Sequence, residues 1–373
     1  MATIQLLPAQ PATEYSTATA AEERQYGQTR PTDAGEKATL RWLLLLFILV
    51  AFARLCWRLD ANNMWWDESL SLQRAESDWL TLIRGTLTMY DGFQALPTTD
   101  QHPFFYFLLQ GVLIRLAGMS EFVLRYPSVL AATLLVPVVW VLARYYERRG
   151  ILPRTSAAWA IGFAALHPFF LWFGQEARPY ALWATLSLFA LYLLLRTTDS
   201  MLNTSLSLSM AIQDTQPRRR FWLTSYIIVT LLSLITHYYA VFWLPLHALH
   251  IYVQMLRRNR WVGLTVALLL IAVGGIIGGV AAWQILRQGG GENFPDVTWR
   301  ILIPDLVNAF SLGLSVRLDD LIHWLGWVFG TLAVVGALWS LRSWRTMRAG
   351  GWLLPLGLLI PVALILLINI VQP

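Results

Sequence analysis

The chain has 373 residues, of which 56% are hydrophobic and only 13% charged. A soluble domain is about a quarter charged, so an ordinary water-soluble enzyme is excluded at the outset. The net charge of +6 sits in short arginine-bearing stretches between apolar runs, which excludes the gathered basic face of a nucleic-acid-binding protein.

Residues 1–39 are polar, rich in Ala, Thr, Glu and Gln, and lack an early apolar segment of the secretory type. They predict a disordered cytoplasmic tail. Apolar runs of about 17–24 residues follow, the length that crosses a ~30 Å hydrocarbon core as helix. They predict spans at 40–57, 126–146, 155–172, 180–196, 221–236, 239–256, 261–284, 321–341 and 352–370. The expected fold class is therefore an all-α, polytopic transmembrane helical bundle. Cys56, in the first span, is the only cysteine, so no intrachain disulfide can form.

Residues 103–117 form a shorter apolar run whose reading decides the side of every later loop. Short Lys/Arg-rich loops mark the cytoplasmic side. The clusters are Arg24, Arg30, Lys37 and Arg41; Arg144, Arg148, Arg149 and Arg154; Arg218 to Arg220; Arg257, Arg258 and Arg260; and Arg342, Arg345 and Arg348. They share one side only if 103–117 stops short of a crossing, so it is read as a short juxtamembrane helix at the outer face. The expected placement is a multi-pass protein of the cell membrane with a cytoplasmic N-terminus.

That parity collects different chemistry on the outer face. Loop 58–102 holds Asp60, Asp67, Glu68, Glu76, Asp78, Asp91, Asp100 and His102. QEARPY (175–180) and THYY (236–239) fall in later loops on the same side, and a long loop, 285–320, follows the seventh span. Each feature has a plain reading: Trp65 and Trp66 suit an interfacial aromatic belt, His102 suits a helix cap, and Pro179 suits a first helical turn. GGIIGG (274–279) suits close helix packing. GGG (289–291) follows no strand and fails the context of a dinucleotide loop. NTS (203–205) lies on the inferred cytoplasmic side and is discounted as a glycosylation sequon. The return of carboxylates, histidines and isolated arginines to one face from four loops is what the plain readings leave over. A carboxylate there can act as a general base and an arginine can clamp a phosphate. With no Walker loop, no Rossmann motif and no sizeable soluble domain, the activated substrate is expected to be a membrane lipid.

Four stretches in order carry a resemblance: WWDES (65–69), HPFFYFLL (102–109), SEFVLRYPSVLAATLL (120–135) and HPFFLWFGQEARPYAL (167–182). They resemble the GT-C superfamily of integral-membrane glycosyltransferases, nearest to the protein O-mannosyltransferases and the lipid A aminoarabinose transferases. The resemblance covers residues 40–260 as a transmembrane module including outer loop 58–102. Residues 261–373 are then additional transmembrane helices, and the ending at NIVQP reads as a short form or a fragment.

The resemblance implies a polyprenyl-phosphate-linked sugar donor and an acceptor hydroxyl on a glycan, lipid or protein, joined with inversion on the extracytoplasmic face. It implies Asp67 as general base, with Glu68 contacting or orienting the acceptor. Arg178 with Tyr180, then Arg125 and Arg54, are the candidates for the donor phosphate. Glu176 is the second acid, with His102 and His237 orienting. Relatives often carry an aspartate shortly after the Arg-x-Tyr element, where this chain has Trp183. The resemblance requires no cofactor but leaves a divalent cation, Mg or Mn, open, with Asp100, His102, Glu176 and His237 as candidate ligands. Other partners are membrane lipids, not nucleic acid. The rivals are a multi-pass transporter or lipid flippase, and a non-catalytic polyprenyl-lipid-binding subunit. Transporters place ionisable groups near the bilayer midplane, whereas here the span interiors are nearly free of charge.

Overall fold

The computed structural model describes residues 31–90, 95–100, 102–203, 215–256, 259–287, 299–313, 323–340, 350–357, 359, 360 and 363. The chain divides into two compact units, residues 1–45 and 46–373. The first contributes the N-terminal part of helix α1 (Pro31–Cys56), and the second holds the remaining elements. These begin with α2 (Trp66–Glu76), α3 (Trp79–Arg84), β1 (Thr86–Tyr90), β2 (Ala95–Thr99), α4 (Phe105–Ala117) and α5 (Glu121–Arg148). Then come α6 (Ser156–Leu166), α7 (Pro168–Gly174), α8 (Tyr180–Asn203), α9 (Thr215–Leu234), a 3-10 helix (Tyr238–Trp243) and α10 (Leu244–Met255). The last described helices are α11 (Arg260–Arg287), α12 (Trp299–Ala309) and α13 (His323–Ser340).

Among the described residues four helical segments are long and apolar enough to cross a membrane: Ala38–Cys56, Glu121–Arg148, Tyr180–Met201 and Arg260–Val280. The bent pair α6 and α7 makes a fifth if it is one span. Their outward faces are apolar. On α11, Leu268, Leu269, Ile271 and Ile276 are each half or more exposed, a surface that hydrocarbon solvates and water does not. The chain is a helical membrane protein.

The expected spans differ from this in specific places. Run 155–172 is broken because His167 leaves the helical backbone and its ring accepts the N–H of Phe169, while Pro168 opens α7 at a 49° bend. Run 239–256 is not one α-helix, since it opens as a 3-10 turn and continues as α10. His237 accepts the N–H of Tyr239, a 3-10 turn follows, and Pro245 lies in the first turn of α10. Helix α9 begins at Thr215, so Arg218 to Arg220 lie within it. Helix α1 starts at Pro31, inside the stretch expected to be tail. Part of loop 285–320 is helical, as the end of α11 and as α12. Most of 352–370, the tail up to residue 30, GGG 289–291, part of the NTS sequon, and Arg257, Arg258, Arg342, Arg345 and Arg348 lie outside the described residues.

Helix α5 is the centre of the packing. Ser120 caps it by accepting the N–H of Val123, and α6 and α8 pack along it. Its buried residues include Leu124, Val129, Leu135 and Tyr146. Between lipid-solvated helices, small residues and polar cross-links do much of the holding. Tyr106 and Ser128 hydroxyls meet at 2.6 Å, Thr185 donates to the Ala131 carbonyl at 2.8 Å, and Ser187 meets Ser233 at 3.0 Å. Gly174 ends α7 where a β-carbon would stand 2.4 Å from a Leu55 methyl and 2.8 Å from that of Ala132, so only glycine lets α7 approach this closely. In GGIIGG, Gly274 and Gly278 face Val241 of the 3-10 helix, whereas Gly275 and Gly279 face open space, the four-residue pattern of one packed helix face.

Helix α4 has 13 residues and rises about 20 Å, short of a ~30 Å core. At its start the Phe105 N–H reaches the Ile235 carbonyl, and near its end Arg115 donates to the carbonyls of Ala75, in the last turn of α2, and Ser77, just beyond it. The segment between α1 and α5 also contains an unexpected antiparallel hairpin, with Thr86 opposite Thr99 and Tyr90 opposite Ala95. Gln73 clamps it to α2 through the N–H and carbonyl of Thr88. Asp78 caps α3 by accepting from Leu80 and Thr81, and Gly85 ends it at a positive φ of 71°. The Gly85 carbonyl then receives the Asp100 N–H at 2.7 Å, which fixes where the strand delivers Asp100.

Candidate active site

Three stretches far apart in sequence are tied together by one ion pair. Glu68, in the first turn of α2, accepts from Arg125 Nε at 2.8 Å through one carboxylate oxygen and from Nη2 at 2.7 Å through the other. It also accepts the Ala177 N–H at 2.8 Å and the Trp65 N–H at 3.4 Å. Arg125 directs its remaining donors to the carbonyls of Leu59, Asn62 and Asn63. Both side chains are nearly inaccessible, at 1% and 5%. In this arrangement all the donors of Arg125 lie on protein acceptors and Glu68 is held by four donors. The pair builds the site.

Asp67 and Arg178 are arranged differently. Arg178, positioned by the turn before α8, donates from Nη1 to the Asp67 carbonyl and to Ser71 Oγ, each at 3.4 Å. Its Nη2 lies 3.7 Å from the Asp67 carboxylate, a loose pair in which Arg178 is 6% exposed and Asp67 31%. The buried Nε has no hydrogen-bond partner among the described residues. The guanidinium also lies 5.8 Å from the centre of the Tyr180 ring. Arg54 does not join them, since it donates to the Ala165 carbonyl at 2.7 Å.

Behind Arg178 stand two histidines. His102 Nδ1 lies 2.9 Å from Asp100 Oδ1, and Arg178 Nη2 lies 3.3 Å from that nitrogen and 3.5 Å from Nε2. Asp100 in turn pairs with buried Arg74 at 3.0 Å. Burial opposes ionisation of Asp100, but His102 and Arg74 outweigh it and hold the carboxyl well below the usual carboxylate range. His237 lies 5.1 Å from His102, ring centre to ring centre, and stacks on Trp183 at 4.8 Å. Burial, reinforced by the neighbouring His102 and Arg178, lowers His237 to about 3, so its ring is neutral. Trp183, standing where relatives often have an acid, is therefore a platform for this imidazole.

Beside the cluster lies a cavity of about 790 Å³. Its walls are aromatic, with Trp65, Phe169, Trp172, Phe173, Tyr180 and Trp183, and they include Glu68, Arg125, Glu176 and His237. Asp67, Arg178 and His102 are not among the lining residues described. Glu176 accepts the Trp172 indole N–H at 2.7 Å through one oxygen, while its other oxygen is buried with no partner among the described residues. Burial first, then the charge of Glu68, pushes its carboxyl from an ordinary 4.5 up to about 7. A raised carboxyl favours the fold fully below the lower value and loses that contribution as pH rises through the upper one. The thermal unfolding difference between wild type and Glu176→Gln should therefore change across about pH 4.5–7. A difference that is flat across that window would place Glu176 in a solvated position.

Of the candidate metal ligands, Asp100, His102 and His237 are neighbours, but Asp100 is taken by Arg74 and His102, and Glu176 bonds Trp172. Among the described residues no three His, Cys, Asp or Glu side chains form a donor set. Arg74 is the residue that sequence reasoning missed. Asp67, Ser71 and Arg74 recur at four and three residues, the spacing of one helix face, which was the available signal.

Compared with known protein families, curated proteins and solved structures, the chain matches none. Fold and site together define a helical membrane protein carrying a charged, histidine-bearing cluster beside an aromatic cavity.

Proposed function

We propose that the chain is an inverting membrane glycosyltransferase of GT-C type, using a polyprenyl-phosphate sugar on the extracytoplasmic face. The observation that carries this reading is Arg178, a buried guanidinium with an unpartnered Nε, loosely paired with the more exposed Asp67. In the proposed step the acceptor hydroxyl loses its proton to Asp67 as its oxygen attacks the anomeric carbon. The bond from that carbon to the phosphate oxygen breaks, and its electron pair leaves on the polyprenyl phosphate. Arg178 meets that growing charge where it is worth most, in a site shielded from water. The aromatic cavity suits an isoprenoid chain and the faces of a sugar ring. The free oxygen of Glu176, half protonated near neutrality, can exchange a hydrogen bond with a sugar hydroxyl.

The test is transfer by the purified protein from a panel of polyprenyl-phosphate sugars, with Arg178→Ala alongside wild type. Wild type is expected to release polyprenyl phosphate and glycosylated acceptor, and the variant to lose about 10²–10³-fold in kcat/KM, as for other lost donors to developing charge. No transfer from any donor, together with movement of intact lipid across vesicles, would establish the flippase instead.

A further inference from the structure

The aromatic cavity has a polar rim that the proposed transfer step leaves unused. Arg58, Asn62, Asn63 and Trp65 all line the cavity and all are exposed. They belong to the short turn between α1 and α2, which is held from the protein side. Arg125 donates to the backbone carbonyls of Leu59, Asn62 and Asn63, at 2.6, 3.0 and 3.4 Å. The Ala61 N–H closes onto the Arg58 carbonyl at 3.1 Å, and Glu68 accepts the Trp65 N–H.

The side chains on this fixed backbone are unengaged. Among the described residues the Arg58 guanidinium makes no ion pair or hydrogen bond, and neither do the carboxamides of Asn62 and Asn63. Arg125, the other arginine of the lining, has its donors on protein. Arg58 is therefore the cation that the described lining offers to a ligand. Its backbone has a φ of 52°, and no other non-glycine residue among those described has a positive φ. Just past a helix end this is the conformation that glycine adopts most readily. Glycine would serve the turn, so what arginine adds there is its side chain.

A cation, two carboxamides and an indole face at the mouth of an aromatic cavity match a saccharide that carries negative charge. The indole covers the apolar face of a sugar ring. The carboxamides exchange hydrogen bonds with hydroxyls, and the guanidinium pairs with a carboxylate or phosphate. Trp65 is the N-cap residue of α2, whose first turn carries Asp67, so the rim lies within one helical turn of the proposed base. We propose that the rim is the acceptor subsite and selects an anionic saccharide, with its charged group on Arg58. The role as acceptor rests on the transferase reading; the saccharide site does not.

Binding is measured by titration calorimetry on the full chain in neutral detergent. The probes are tetragalacturonic acid, its carboxyl-reduced neutral counterpart and inorganic phosphate. Wild type should bind the acidic tetrasaccharide about tenfold more tightly than the neutral one, the value of one charge-assisted hydrogen bond. Arg58→Gly should bind the two alike, with a thermal unfolding midpoint no lower than wild type, and Arg58→Lys should keep most of the preference. Failure of wild type to bind or to distinguish the two saccharides overturns the proposal, and so does a preference that survives in Arg58→Gly. A lower midpoint in Arg58→Gly also overturns it, by showing that the residue serves the turn. Displacement of the acidic saccharide by an equal concentration of inorganic phosphate overturns the saccharide assignment in favour of a free-anion site. Arg58-dependent saccharide binding by a protein that transfers from no donor would uphold the site and overturn its role as acceptor.

Discussion

Asp67→Asn is expected to lower sugar transfer by about 10²–10⁴-fold, the contribution of a positioned general base. The carboxamide keeps the shape of the side chain but loses both the proton acceptor and the charge facing Arg178. Because that contact is long and Asp67 is partly exposed, the variant should fold and retain donor lipid nearly as well as wild type. Asp67 differs here from its neighbour Glu68, whose oxygens are fully engaged. Turnover and donor retention measured on the same preparation separate the two effects. Wild-type turnover in Asp67→Asn would refute its role as base.

Arg125→Met is expected to cost about 3–5 kcal/mol of stability, the usual penalty for stranding one member of a buried ion pair. Glu68 would be left at 1% exposure with two backbone N–H groups but no countercharge. The carbonyls of Leu59, Asn62 and Asn63 would lose their donors as well. Adding Glu68→Gln removes the stranded charge while leaving an oxygen for Ala177, so the double variant should recover much of the loss. The measurement is the thermal unfolding midpoint of the single and double variants in one detergent. An Arg125→Met protein that melts like wild type would show that the pair is incidental.

The two arginines also show how far the site was legible in the sequence. Hydrophobic run length locates the long helices α1, α5, α8 and α11, because crossing a hydrocarbon core leaves a simple compositional mark. The residue types of the cluster were legible too: Asp67, Glu176, Arg178, His102 and His237 do come near one another. Which arginine stays available was not. Arg125 and Arg178 each sit beside a proline and a tyrosine in similar stretches, and only the fold decides that Glu68 meets one of them. The break at His167 was hidden for a related reason: its imidazole caps a backbone N–H two residues on, inside a run that reads as continuous. His237 caps Tyr239 in the same way, in a stretch that the sequence already marks as a loop. The hairpin was obscured by its threonines and Pro97, which read as loop.

The join between Glu68, Arg125 and Ala177 spans 109 residues of chain. During synthesis Glu68 leaves the insertion machinery long before the turn at 175–178 exists. Until that turn arrives, the first loop has Arg125 at best to answer its buried carboxylate, and Arg178 is not yet there to face Asp67. Assembly of this charged cluster is thus deferred to the insertion of α8, and a nascent chain cut short before that helix would carry an open, hydrated loop in its place.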